Sequence, residues 1–109
     1  MARGVNRGEI WMYAFKEPDK RRPVVVLTRQ SAIAFMRTVI VAPITSTIHG
    51  IPSEVLVGIE DGLKQPSAIK LDNVQAVESS RLQTFVGSLS RNKMRDVCRA
   101  LAVATGCDL

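Results

Sequence analysis

Chemical equipment is scarce in this chain. It holds one histidine, His49, and two cysteines, Cys98 and Cys107, nine residues apart. That set offers no zinc-ligand spacing. No Gly-x-Ser-x-Gly elbow is present, so a histidine-paired nucleophile has only His49 to draw on, and an exposed loop histidine is the competing reading of that residue. Carboxylates are few, and Glu60-Asp61 is the sole adjacent pair, which leaves a two-metal nuclease site without candidate ligands. A Gly-rich phosphate loop is also missing, as are repeats, low-complexity segments and linkers. Neither metal nor cofactor is implied. The longest apolar runs, Val24–Leu27 and Val39–Ile44, are too short to span a bilayer, so no membrane partner is expected. The opening Met-Ala-Arg-Gly-Val-Asn-Arg lacks the apolar stretch of a signal peptide, which points to a cytoplasmic protein without a Cys98–Cys107 disulfide.

What is present is an ordinary globular composition, 46% hydrophobic and 23% charged, over 109 residues. That length predicts one domain, residues 1–109, with a respectable core. The net charge of +5 is unevenly spread. Residues 1–37 carry eight Lys/Arg against three Asp/Glu, whereas residues 38–90 carry three against five. The excess gathers around Lys20-Arg21-Arg22. Such a concentration favours nucleic acid or another acidic partner, and a solvated basic surface is the plain alternative.

Along the chain, Glu9 to Phe15 reads as a strand. Trp11, Tyr13 and Phe15 lie on one face and Ile10, Met12 and Ala14 on the other. Both faces are apolar, so both need covering by a helix or by a second subunit. Glu17-Pro18-Asp19-Lys20 reads as a turn, Val24 to Thr28 as a second strand and Gln30 to Met36 as a short helix or loop. Thr38 to Ile44, almost continuously apolar, predicts a central strand. Further strands are expected at Glu54 to Val57, Ser67 to Val77 and Phe85 to Gly87. Met94, Val97, Cys98 and Leu101 recur at i, i+3, i+4 and i+7, one face of a closing helix that buries Cys98, with Ser90 as N-cap and Gly106 past its end. Five or six short strands and one helix give a mainly β (α+β) fold, a small SH3-like barrel with a C-terminal helix.

Two polar residues stand at ends of hydrophobic strands: Arg22, just before Pro23-Val24-Val25-Val26-Leu27, and Thr45, just after Val39–Ile44. A guanidinium is a fixed, always-charged fork matched to a phosphate, and a hydroxyl adds a neutral hydrogen bond. One reaction needs little more, namely attack of an RNA 2′-hydroxyl on its own 3′-phosphate. The nucleophile is already tethered, and well-oriented intramolecular attack reaches effective molarities of roughly 10⁵–10⁸ M. The competing readings are an Arg22 ion pair with Asp19 or Glu17 and a Thr45 hydroxyl that satisfies the backbone.

The ordered set Arg7-Gly8-Glu9-Ile10-Trp11, Arg22–Leu27, Val39–Ser46, and Leu71–Val77 followed by Arg81-Leu82 resembles the MazF/PemK family of type II toxin–antitoxin endoribonucleases. The resemblance implies a CcdB/PemK-like barrel that forms a homodimer. It implies metal-independent cleavage of single-stranded RNA, whether mRNA, tRNA or rRNA, to 2′,3′-cyclic phosphate and 5′-hydroxyl ends. The catalytic arginine of the family, directly before the Pro-Val-Val strand, matches Arg22 rather than Arg21, and its catalytic threonine matches Thr45. Lys16, Lys20, Arg21, Arg29 and Ser46 are the candidate RNA contacts. Trp11 or Phe15 would stack a base if exposed, with Trp11 in the core as the alternative. Members of the family have a longer first loop that closes over RNA, and its serine has no counterpart in Lys16–Arg21. A short acidic antitoxin is the implied protein partner. The competing functions are a non-enzymatic, CcdB-like gyrase poison and an RNA-binding module without chemistry.

Overall fold

The computed structural model describes residues 4–15 and 21–107. The expected turn at Glu17–Lys20, together with Lys16 and Lys20, lies outside the described residues. The elements run β1 (Glu9–Ala14), β2 (Arg21–Val26), a short α1 (Gln30–Ile33), β3 (Thr38–Thr45), β4 (Glu54–Val57), β5 (Ser67–Lys70), β6 (Gln75–Glu78), β7 (Phe85–Ser88) and α2 (Arg91–Thr105). All strand pairs are antiparallel, in the order β4-β5-β3-β2-β1-β7, with β6 also on β3. The sheet curls into a half-barrel and α2 closes one side.

Strand β3 organises this sheet. Along one edge it pairs with β2, as in Val24↔Pro43 and Val26↔Val41. Its other edge is shared, with Val39↔Val77 to β6 at the first half and Ile44↔Ile69 to β5 at the second. The expected single strand from Ser67 to Val77 is therefore two strands. A 3₁₀ turn, Leu71–Asn73, separates them and shifts the register on β3 by three residues. Leu71 explains the interruption: it is fully buried, and the turn drops it into the core. Similarly, β2 starts at Arg21, three residues ahead of the expected Val24, because Ala14↔Arg21 and Met12↔Pro23 extend its pairing with β1.

Because a strand presents alternate residues to opposite faces, the continuous run Val24-Val25-Val26 feeds two cores. Ile10, Val25, Ala42, Ile44, Val55, Ile69 and Leu71 pack inside the curl with Val97 and Ala100 of α2. Trp11, Tyr13, Val24, Val26, Val39, Val41 and Val77 pack on the outer face with Ile33 of α1 and Leu82. Both faces of β1 are thus covered within one chain, and no second subunit is required for that purpose. Trp11 belongs to this outer core, 4% exposed. Its indole nitrogen donates to Glu9 at 3.0 Å and its ring meets Phe85 edge-on.

The motif Arg7–Trp11 is a structural clip. Gly8, at φ 87°, donates to the carbonyl of Val26, Arg7 donates to the carbonyl of Leu27, and Glu9 accepts from the backbone and side chain of Asn6. Cys98 departs from expectation. It is half-buried, and its sulfur accepts from Arg7 Nη2 at 3.3 Å, so the i+4 position lies at the rim of the helix's apolar face. Cys98 and Cys107 are free thiols. Ser90 caps α2 by accepting from the Lys93 amide at 3.1 Å, and Gly106 ends it at φ 74°.

Candidate functional site

The outer apolar face runs out at the ends of three strands. Side chains of the same alternation as Trp11, Val24, Val41 and Val77 become Phe15, Arg22, Thr45 and Gln75, and these line a recess of about 450 Å³ with Pro43, Thr47, His49, Lys70 and Asn73. The Val24↔Pro43 register, continued two residues outward, sets Arg22 opposite Thr45. Both residues also line a second recess of about 520 Å³ across the sheet edge, with Arg21, Ser46, Lys64 and Gln65. They therefore stand on the ridge between two concave surfaces.

The Arg22 side chain is half-buried and forms no hydrogen bond or ion pair with another described residue; Asp19 and Glu17, its alternative partners, lie outside the described residues. Thr45 Oγ1 accepts from the Thr47 amide at 2.9 Å. That bond satisfies the backbone and fixes the oxygen, yet the hydroxyl hydrogen stays available to donate. The backbone-satisfying reading and the ligand-binding reading of Thr45 are consequently compatible.

Behind the recess lies an ionic assembly that the sequence did not reveal. Glu54 and Lys70 are directly opposed across β4 and β5, and Lys70 Nζ donates to Glu54 Oε2. Both side chains are covered, at 2% and 10% exposure. Glu54 also accepts the amides of His49, at 3.1 Å, and Gly50, at 2.9 Å, so the loop after Thr45 wraps around its carboxylate. The Lys70 hydrogen bond holds this carboxyl below its ordinary range, against burial, which raises it, and with help from the two amides. His49 Nδ1 sits 3.3 Å from Lys70 Nζ.

Among the residues expected from sequence, Arg22 and Thr45 come together, Arg21 and Ser46 border the second recess, and Phe15 borders the first. Arg21 Nε donates to Gln83 at 3.2 Å. Arg29 lines neither recess. It precedes α1, beyond the opposite end of β2, some 20 Å along the chain at about 3.3 Å per residue. Lys70, Asn73, Gln75 and Glu54 had not been singled out. The available signal was Lys70, a cation within the apolar run Ala68–Leu71. No three of His, Cys, Asp and Glu gather into a metal-binding group among the described residues. A larger cavity, about 740 Å³, lies apart from Arg22 and Thr45, between β4 and α2, and Leu56, Ile59 and Val103 line it.

Residues 6–105 match the family model described as PemK-like, MazF-like toxin of type II toxin–antitoxin system. The chain belongs to this family. The toxin is 43% identical over 102 residues to a probable endoribonuclease MazF5 of Mycobacterium tuberculosis, covering 93% of each chain. It is similar to the solved M. tuberculosis toxin MazF-mt6, with a TM-score of 0.86 and 33% identity over 93% of this chain and 99% of that one. A mycobacterial endoribonuclease solved in complex with its cognate antitoxin shares the fold, with a TM-score of 0.87, 21% identity and coverage of 97% and 99%. Among the described residues no helix of the toxin is long and apolar enough to cross a membrane.

Proposed function

We propose that this toxin is an endoribonuclease that cleaves single-stranded RNA by internal transesterification. The observation that carries the reading is the convergence of Arg22 on β2 and Thr45 on β3 on one recess, in a chain whose relatives are named endoribonucleases. A phosphate seated between them meets a guanidinium on one side and a hydroxyl donor on the other. The RNA 2′-oxygen attacks the adjacent phosphorus and loses its proton. The bond to the 5′-oxygen breaks, that oxygen is protonated, and a 2′,3′-cyclic phosphate and a 5′-hydroxyl remain. Arg22 and Thr45 hold the phosphate and offset the charge that builds on its oxygens, each well-placed donor contributing about 3–4 kcal/mol. DNA, without a 2′-hydroxyl, is not a substrate by this route.

Arg21 and Ser46 extend the same ridge toward a neighbouring phosphate, and Phe15 offers a ring for base stacking. An acidic antitoxin fits a positively charged groove, since complementary charge speeds encounter. A homodimer in the cytoplasm completes the reading. Incubation of the purified toxin with a long RNA in EDTA, followed by end-group analysis, tests it. Discrete cuts with 5′-hydroxyl ends, lost in Arg22→Ala, are expected. Intact RNA together with arrested growth would transfer the case to a gyrase poison.

A further inference from the structure

The sole histidine of the toxin sits in the same recess as Arg22 and Thr45, and its ring is held from behind. Among the described residues Nδ1 has two charged neighbours, Lys70 Nζ at 3.3 Å and Glu54 Oε2 at 3.6 Å. The second distance is too long for a hydrogen bond, and the Glu54 oxygens already accept from Lys70 and from the His49 and Gly50 amides. Lysine has donors and no acceptor. Read as a hydrogen bond, the Lys70 contact makes Nδ1 the acceptor and puts the ring hydrogen on Nε2. Nε2 has no partner among the described residues, while the His49 side chain is 63% exposed.

We propose that His49 is a third phosphate-binding donor of this site, its Nε2–H presented to a non-bridging oxygen of the phosphate that Arg22 and Thr45 hold. The assembly behind it is a device for fixing that tautomer. Glu54 on β4 anchors the loop amides and Lys70 on β5 orients the imidazole, while Arg22 on β2 faces the recess from the other side. In this arrangement His49 binds without exchanging a proton with the RNA. The inference rests on the ribonuclease reading for its ligand, but the tautomer does not.

Two measurements test it. Because the chain has one histidine, selective ¹⁵N labelling gives one pair of ring nitrogen signals. At alkaline pH an unprotonated Nδ1 and a protonated Nε2 are expected, and the opposite assignment overturns the proposal. The second measurement is single-turnover RNA cleavage. Gln retains an N–H near the position of Nε2, so His49→Gln should stay within about threefold of the parent with an unchanged pH profile. His49→Ala should lose about 10- to 100-fold, a modest share of what a catalytic hydrogen-bond donor contributes. If His49→Gln is as slow as His49→Ala, with or without recovery in added imidazole, or if His49→Ala is as fast as the parent, the donor role is wrong. Should the parent itself leave RNA uncut, the ribonuclease reading fails alone. The two variants are then compared by their affinity for an RNA oligonucleotide, where the same order is expected.

Discussion

Thr45 uses one oxygen twice. Its lone pair accepts the Thr47 amide, which pins the side chain, and its hydrogen is left to donate into the recess that Thr45 lines. Thr45→Ser keeps both functions and should retain cleavage within about tenfold, whereas Thr45→Ala should lose about 10²–10³-fold, read as single-turnover rates. The Arg22 side chain has no hydrogen-bond or ion-pair partner among the described residues, so its value is argued from the geometry of the fork itself. Arg22→Lys keeps the charge without the bidentate match. It should fall close to Arg22→Ala in cleavage rate while binding RNA better than Arg22→Ala, and a lysine variant as fast as the parent would show that charge alone suffices. That these two residues share a recess was legible because each punctuates an apolar strand, where a polar residue needs explaining. Lys70 and His49 were not legible together. They lie 21 residues apart in sequence, and nothing local announces that β5 carries Lys70 up to the loop after β3.

At the scale of elements, the loop after Thr45 depends on the Glu54 carboxylate. Its carboxyl lies below the ordinary value of 4.5, chiefly because Lys70 donates to it. A depressed carboxyl stabilises the fold fully above that ordinary value, and the contribution fades as pH falls through the lowered one. The protection of the His49 and Gly50 amides against hydrogen exchange, taken relative to their intrinsic rates at each pH, should therefore fall on acidification, and Glu54→Gln should show the low protection already at neutral pH. Helix α2 was readable almost to its ends, since cap, periodicity and terminal glycine all agree. Removing the cap in Ser90→Ala should cost about 1 kcal/mol in denaturant unfolding. The contact between β7 and the Ile59–Asp61 turn was not readable. A Cβ on Gly87 would lie 2.2 Å from the Asp61 carbonyl oxygen, a backbone atom that cannot swing away. Gly87→Ala should thus destabilise by about 1–3 kcal/mol, as overpacking does. The break at Leu71–Asn73 was hidden for a related reason. The flanking strands β5, buried at every position, and β6, buried only at Val77, give no local mark of it, and only the three-residue change of register on β3 exposes it.

Considered as a whole, the toxin joins a positive net charge to a ridge with a recess on each side. RNA affinity should fall linearly with salt on logarithmic axes, at roughly 0.7 per phosphate contacted on a single strand. Replacing Arg21 should reduce that slope by about one contact, which filter binding at several salt concentrations would measure. The fold class was legible from short strands and turn signals. The existence of two cores was not, because an uninterrupted valine run reads the same whether one face or both are covered by the chain's own residues.

Those two cores set apart what substitutions would do in a living cell. The inner one, closed by α2, reaches the second recess through Ile44, Leu63 and Val86, whereas the outer one ends at Arg22 and Thr45 in the first. Trimming Val24 or Val41 would slacken the floor under the recess that Arg22 and Thr45 line while the helix-closed half stays knit together. Such positions are where a geneticist should seek heat-sensitive alleles, silent in the warmth and harmful again on cooling. Equivalent trimming at Val97 would yield a chain that is merely degraded.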